Sequence, residues 1–302
     1  MFAVTILGNN SALPMHDRHP TSQVVHYDEH LFLVDCGEGT QIQMNRYKIR
    51  RNRIRYIFIS HLHGDHYFGL PGLLTSFGLN GRSEALWIFS PPRLKEIIEI
   101  QLEASDTVLP YPIHFVAIEK EGLLVDEKKI TVSCFAVNHR IPCWGFLFSE
   151  KNKPLRLDGE KLRQYAIPSS FYQRLKMGED YTNSQGELIK NEWLTLPPDP
   201  LQSYAYCADT LYDANIAAKC LNSTVIYHEA TYLHDQQDKA MNRMHSTSIQ
   251  AATFALKAHA QKLLIGHFSS RYETLDEFVT EARSVFPDTD LALEGVTYLI
   301  HS

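Results

Sequence analysis

The feature that most constrains this chain is a repeat of one arrangement, in which a short apolar run delivers a histidine or an aspartate at its end. Leu31 to Asp35, Ile54 to Ser60 before His61, Ile130 to Val137 before His139, Tyr204 to Cys207 before Asp209, Val225 to Tyr227 before His228, and Lys262 to Ile265 before His267 all follow it. Runs of this length and composition are strands. Loops leaving one edge of a sheet can converge, so the repetition predicts an α/β chain whose strand ends meet in a single site. Phe2 to Leu7 and Gln23 to Tyr27 add a hairpin layer at the start, and a short helix is expected over Gln41 to Tyr47. Leu70, Leu73, Leu74 and Phe77 recur at i, i+3, i+4 and i+7 around Pro71, which suits a helix's first turn, and Arg93 to Glu103 reads as a further helix.

Between about Glu150 and Pro200 the strand rhythm stops, and charged residues and prolines dominate. Residues 150–200 are therefore expected to form an arm inserted into one domain spanning 1–302. Its first half is basic (Lys151, Lys153, Arg156, Lys161, Arg163, Arg174 and Lys176) and carries Tyr165, Phe171 and Tyr172. On composition alone that fits a solvated insertion as well as an RNA contact. The earlier basic run of Lys48, Arg50, Arg51, Arg53 and Arg55 reads as a solvated helix end.

With 302 residues, 44% of them hydrophobic, the chain can bury a large core. A formal charge of −6 excludes bulk electrostatic attraction as the way to meet a polyanion, which would have to be held by local basic patches or metal ions. The five cysteines are odd in number and lack a CxxC pair, which argues against both a disulfide framework and a thiolate zinc site and for a cytoplasmic protein. Phe2 to Leu7 lacks a basic leader and reads as a strand; no apolar stretch approaches the roughly 20 residues of a membrane helix.

His61-x-His63-x-Asp65-His66 packs its candidate ligands just past an apolar strand. Imidazole and carboxylate are what Zn²⁺ takes when thiolates are absent. Such a loop can turn His61 and His63 toward one ion and Asp65 and His66 toward a second, but it cannot complete both coordination spheres. His139, Asp209 and His267, at later strand ends, are the candidates for the rest, with Asp209 suited to bridge. Asp35 is read either as orienting the ligand loop or as capping its own turn. Taken alone, Glu229 and His245 read as a structural hydrogen bond between a strand end and a neighbouring loop.

At these residues the chain resembles the metallo-β-lactamase superfamily and, within it, the ribonuclease Z family. The broader likeness rests on Asp35, His61-Leu62-His63-Gly64-Asp65-His66, His139, Asp209 and His267. The narrower one rests on Val34-Asp35-Cys36-Gly37-Glu38-Gly39-Thr40-Gln41, His228-Glu229-Ala230-Thr231, His245-Ser246-Thr247 and His267-Phe268-Ser269-Ser270-Arg271-Tyr272. It implies an αβ/βα four-layer sandwich with an inserted flexible arm. It further implies two Zn²⁺ per subunit, one held by His61, His63 and His139, the other by Asp65, His66 and His267, with Asp209 bridging.

The implied activity is removal of the 3′ trailer from precursor tRNA by a cytoplasmic homodimer, with the arm as a tRNA-gripping exosite. By the same resemblance Asp65 takes the proton of the attacking water, while His245, held by Glu229, protonates the leaving 3′ oxygen. Arg18, Arg271 and the arm's Lys161, Arg163, Arg174 and Lys176 become substrate-binding candidates. Two departures stand out: Pro168-Ser169-Ser170 where the family's arm has a Gly-Pro step, and Arg18-His19 where it has Arg-Asn. The rival readings are another hydrolase on the same scaffold, a phosphodiesterase or arylsulfatase, and a non-catalytic RNA-binding module.

Overall fold

A computed structural model describes residues 1–301. The chain divides into two compact units: one comprises residues 1–126, 131–148 and the chain from Gln202 onward, the other residues 127–130 and 149–201.

The first unit is built on strands β1 (Phe2–Gly8), β2 (Ser22–Tyr27), β3 (His30–Val34), β4 (Ile54–Phe58), β5 (Leu86–Ser90) and β6 (Ile113–Ala117). They are followed by β7 (Gly122–Asp126), β8 (Ile130–Val137), β9 (Cys143–Glu150), β10 (Ser203–Cys207), β11 (Val225–Glu229), β12 (Lys262–Gly266), β13 (Thr289–Leu291) and β14 (Thr297–Leu299). Two 7-stranded sheets result, ordered β14-β1-β2-β3-β4-β5-β6 and β13-β12-β11-β10-β9-β8-β7. The strands that deliver the chemistry pair in parallel, β3 with β4 and β10 with β11 with β12, so their C-terminal ends share an edge.

Alternation along each strand explains the layering. Phe32, Tyr56, Phe58 and Phe89 from the first sheet meet Phe146 and Phe148 from the second, with Phe58 and Phe146 ring centres 5.3 Å apart. On the opposite faces Leu31, Leu33, Ile57 and Ile88 pack with Leu70, Leu73, Leu74 and Leu94 of the helices Leu70–Leu79 and Arg93–Ala104. Ala205, Ile226, Leu263 and Ile265 pack with Phe254 and Phe278 of the helices Ser248–Lys257 and Asp276–Val285. The order is helix, sheet, sheet, helix.

The second unit has its own small core of Leu162, Ile167, Leu175, Ile189 and Leu194. Arg156–Leu157 pairs with Thr195–Leu196, and Tyr181–Thr182 with Leu188–Ile189. Strands of two residues carry no readable period, which is why this stretch looked strandless in the sequence. Strands β6 and β7 also went unread, because each is partly exposed and shows no clean alternation.

Glycines let the ligand loop lie against the sheet edge. Gly69 donates its N–H to Cys36 O at 2.9 Å, and Cys36 donates to His66 O at 2.7 Å. A Cβ on Gly69 would sit 2.2 Å from Gly37 O. Gly69→Ala should therefore lower the thermal midpoint by the equivalent of about 1–3 kcal/mol and loosen the loop. Gly81→Ala, at φ +77° with nothing within 4 Å of a new Cβ, carries only a conformational cost of about 1 kcal/mol. Equal shifts for the two variants would rule out the close backbone approach as the cause.

Candidate active site

Asp35 and Ser60 lie just past β3 and β4, and both are fully buried. The Asp35 carboxylate accepts from Ser60 N at 2.7 Å, Ser60 Oγ at 2.8 Å, His66 Nδ1 at 2.8 Å and Tyr206 OH at 2.6 Å. Its backbone is left-handed (φ +55°), a conformation disfavoured for a residue with a Cβ and held here by these bonds. Ser60 Oγ, whose proton goes to Asp35, lies 3.0 Å from His61 Nδ1 and so takes the proton of that ring nitrogen.

The other rings are anchored in the same way. His139 Nδ1 donates to Met244 O at 2.9 Å, and His267 Nδ1 lies 2.9 Å from Thr231 Oγ1, which donates to Glu229 Oε2 at 2.6 Å. With each Nδ1 occupied, the Nε2 atoms of His61, His66, His139 and His267 remain for a common interior; His63 presents Nδ1, 3.0 Å from His61 Nε2 and 3.2 Å from His139 Nε2. The ligand atoms of His61, His63, His139 and Asp209 all lie within 4.8 Å of one another, as do those of Asp65, His66 and His267. Asp209 faces both groups: Oδ2 is 3.7 Å from His61 Nε2, and Oδ1 is 3.4 Å from His66 Nε2 and 3.2 Å from His267 Nε2.

These residues fit divalent cations on two observations. His66 Nε2, His267 Nε2 and Asp209 Oδ1 are buried and have no hydrogen-bond partner among the described residues, although buried polar atoms are ordinarily satisfied. Burial alone would push Asp209 upward, yet His267 and His66 hold it well below the usual carboxylate range, so an ionised carboxylate sits in the interior. His61 is held well below the ordinary histidine value, by burial first and then by His66. Neutral imidazole and ionised carboxylate are the states that bind metal.

His245 stands beside this cluster. Its Nδ1 is 4.0 Å from Asp209 Oδ2 but bonded to Glu229 Oε1 at 2.8 Å, which leaves Nε2 to face outward. Burial opposes a charged ring there, but Glu229 outweighs it and pushes His245 up to about 9. Glu229 itself is fully buried and also accepts from Thr210 N at 2.9 Å and Thr231 N at 3.1 Å. Asp65 Oδ2 accepts from Ala12 N at 2.8 Å and faces His267 Nε2 at 3.5 Å. A cavity of about 740 Å³ opens onto the cluster, lined among others by His63, Asp65, Asp209, His245 and His267.

The substrate-binding candidates fare differently. Arg18 is engaged with Asn10 Oδ1, Tyr272 O and Glu273 O, and Arg271 donates to Gln236 Oε1 at 3.0 Å; neither lines the cavity. In the second unit Arg174 pairs with Glu179 at 2.7 Å and Lys161 reaches Gln164 Oε1 at 3.3 Å, while Arg163 is exposed and Lys176 half-buried. Residues not singled out in the sequence also serve the site: Ser60, Tyr206, Thr231 and Met244 anchor ligands, and Arg140, Arg243, Phe68 and Tyr232 line the cavity. Thr231 closes the motif His228-Glu229-Ala230-Thr231, and Ser60 directly precedes His61. No sequence signal marks the others.

Two facing sheets flanked by helices, with a histidine and aspartate cluster at their shared edge, make this the metallo-β-lactamase fold. A family model described as Anti-Pycsar protein Apyc1 matches residues 2–150. Ribonuclease Z of Bacteroides thetaiotaomicron is 42% identical over 100% of this chain and 96% of its own length. Among solved structures, human tRNase Z, short form, is 27% identical with a TM-score of 0.72, covering 99% of this chain and 100% of that one. The metallo-β-lactamase fold protein YhfI from Bacillus subtilis shares the fold at 16% identity, with a TM-score of 0.70 and 98% of each chain covered. The chain belongs to the ribonuclease Z family.

Because Asp35 fixes both His66 and, through Ser60, His61, Asp35→Asn should weaken metal binding about 10- to 100-fold. Competition against a chromophoric chelator measures this, and unchanged affinity would show that Asp35 serves only its own turn.

Proposed function

We propose that the chain is a zinc-dependent endoribonuclease that removes the 3′ trailer from precursor tRNA, leaving a 3′-hydroxyl on the tRNA and a 5′-phosphate on the trailer. The observation that carries this reading is the Glu229–His245 pair, set at 2.8 Å beside the ligand cluster and opening on the same cavity as Asp65. The family relationship supports it over the whole chain. His61, His63 and His139 would hold one ion and Asp65, His66 and His267 the other, with Asp209 shared; nitrogen and oxygen donors without thiolate suit zinc. When bound, such ions stabilise charge on phosphoryl oxygens and bring the pKa of water toward neutrality.

The chain's own residues supply the proton transfers. Asp65 orients the attacking water and accepts its proton as the new P–O bond forms. On the other side the P–O3′ bond breaks, and His245 gives its Nε2 proton to the departing oxygen. Glu229 fixes the other proton on Nδ1 and stabilises the charged ring. The basic surface of the second unit, with Lys161, Arg163, Arg174 and Lys176, acts as the exosite for tRNA, and Arg18 and Arg271 support the RNA end. The working form is a homodimer. Five buried, unpaired cysteines fit the reducing cytoplasm, and among the described residues no helix is long and apolar enough to cross a membrane.

Another phosphodiesterase or an arylsulfatase on this scaffold is the alternative, and substrate preference separates them. The match to the Apyc1 family model stops at residue 150, before Glu229 and His245.

Removal of metal with a chelator should abolish cleavage of 3′-extended tRNA, and zinc should restore it. Retained cleavage in metal-free protein would refute the assignment. Asp65→Ala should abolish hydrolysis while leaving the circular dichroism spectrum intact; wild-type turnover would refute its role. His245→Ala should slow precursor-tRNA cleavage by about 10²- to 10⁴-fold, yet affect bis(p-nitrophenyl) phosphate far less, because an aryl oxide leaves without a proton. Equal losses on both substrates would exclude His245 as the acid.

A further inference from the structure

The cavity lining divides by chemistry. Around Asp65 it is small or apolar, with Ala12, Leu13, Gly64 and Phe68; near His245 it carries two guanidinium groups, Arg140 and Arg243. Arg140 follows His139, and Arg243 precedes Met244, whose carbonyl accepts from His139 Nδ1 at 2.9 Å. That bond brings the two arginines to the same wall, next to His245, whose ring centre is 5.3 Å from that of His139. Both side chains are exposed, and among the described residues neither guanidinium makes a hydrogen bond or an ion pair.

An ordinary surface arginine would be unpaired too, so their surroundings decide the question. Arg18 and Arg271 are tied to protein oxygens, whereas Arg140 and Arg243 stand at the cavity with no carboxylate bound to either. Lys239 lies close enough to Arg243 and Arg271 to be held below its ordinary value, by desolvation first and then by these two cations. Lys239 thus stands with Arg243 and Arg271 in one group of cations beside the cavity. Uncompensated like charges oppose one another, and a bound anion relieves the opposition.

We infer that Arg140 and Arg243 grip the RNA backbone on the 5′ side of the cut, at the phosphate preceding the last nucleotide retained by the tRNA. The assignment rests on the direction of cleavage proposed above. His245 protonates the departing 3′ oxygen, so the nucleotide bearing that oxygen lies on the His245 side, and its own 5′-phosphate falls toward the arginine wall. A planar guanidinium matches phosphate oxygens in a fork that lysine cannot reproduce. These are positioning residues; neither reaches the reacting atoms.

The test is steady-state cleavage of a 3′-extended precursor tRNA by the full chain, zinc-loaded, with metal content measured for every variant. Arg140→Ala and Arg243→Ala should each raise KM about tenfold with kcat within about twofold. Each should flatten the dependence of log(kcat/KM) on log salt by about 0.7. Arg243→Lys should restore the salt slope but only part of the KM. A methylphosphonate at the phosphate 5′ to the last retained nucleotide should weaken the wild type, weaken each single variant less, and leave the Arg140→Ala/Arg243→Ala double variant no worse. Unchanged KM and slope in both variants would overturn the inference, as would a fall in kcat or in bound metal at constant KM. A zinc-loaded wild type that hydrolyses bis(p-nitrophenyl) phosphate but spares precursor tRNA would remove the functional reading and this inference together. Cleavage of precursor tRNA with insensitive variants would remove the inference alone.

Discussion

One buried carboxylate organises the site. Asp35 stands at the end of a strand in the first sheet, yet it accepts a hydrogen bond from Tyr206 in the second, so the facing sheets are tied together where their strands end. The same carboxylate receives Ser60 and His66, fixing both ends of the ligand loop. A polar group buried at this depth must be hydrogen-bonded, and four donors converge on this carboxylate. Removing the carboxylate would release the loop, the serine and the tyrosine together. Strain at the strand ends follows from the same demand. Asp35 and His267 both adopt left-handed backbone angles, turning their side chains along the sheet edge, and each is held there by bonds at its tip.

How much of this was legible in the sequence depended on range. The loop from His61 to His66 could be read because its ligands are local, and His139, Asp209 and His267 because each follows an apolar strand. Parallel pairing then brings the Asp209 and His267 ends to one edge, which repetition in the chain already implied. Ser60, Tyr206 and Thr231 were not read as anchors, because each acts through a partner that folding alone supplies; Tyr206 is 171 residues from Asp35. Arg18 and Arg271 show the converse limit. A sequence displays a cation but not the carbonyl that occupies it, and both turned out to be engaged away from the cavity. Arg140 and Arg243 were passed over although each stands within two residues of a motif histidine.

The aromatic layer between the sheets sets how rigidly these ends are held. Phe58, Phe146 and Phe148 are fully buried, and rings of this size bury large apolar areas in fixed edge and stacked geometries. The His61 loop begins three residues after Phe58, so that packing is transmitted directly to the ligand rings. A site on loops is thereby as well positioned as one on the strands themselves. In the second unit the core is five buried apolar residues, and its order rests on far less packing.

Electrostatics then decide what the finished edge attracts. Asp65, Asp209 and Glu229 stand among the histidines of this edge in a chain whose formal charge is already −6, so no surplus of positive charge there draws in a phosphodiester. Divalent ions held by the unsatisfied nitrogens and the Asp209 carboxylate would reverse the sign of that local field. The carboxylates that would draw in the ions leave the edge without positive charge until the sites are filled, so on the proposed function metal binding and phosphate binding would both follow from one charge arrangement. The uncompensated arginines on the His245 wall extend the reversed field outward from the ions. A protein of negative net charge can thus present a short positive track, confined to the cavity and its rim, without offering a sticky basic surface to nucleic acid at large.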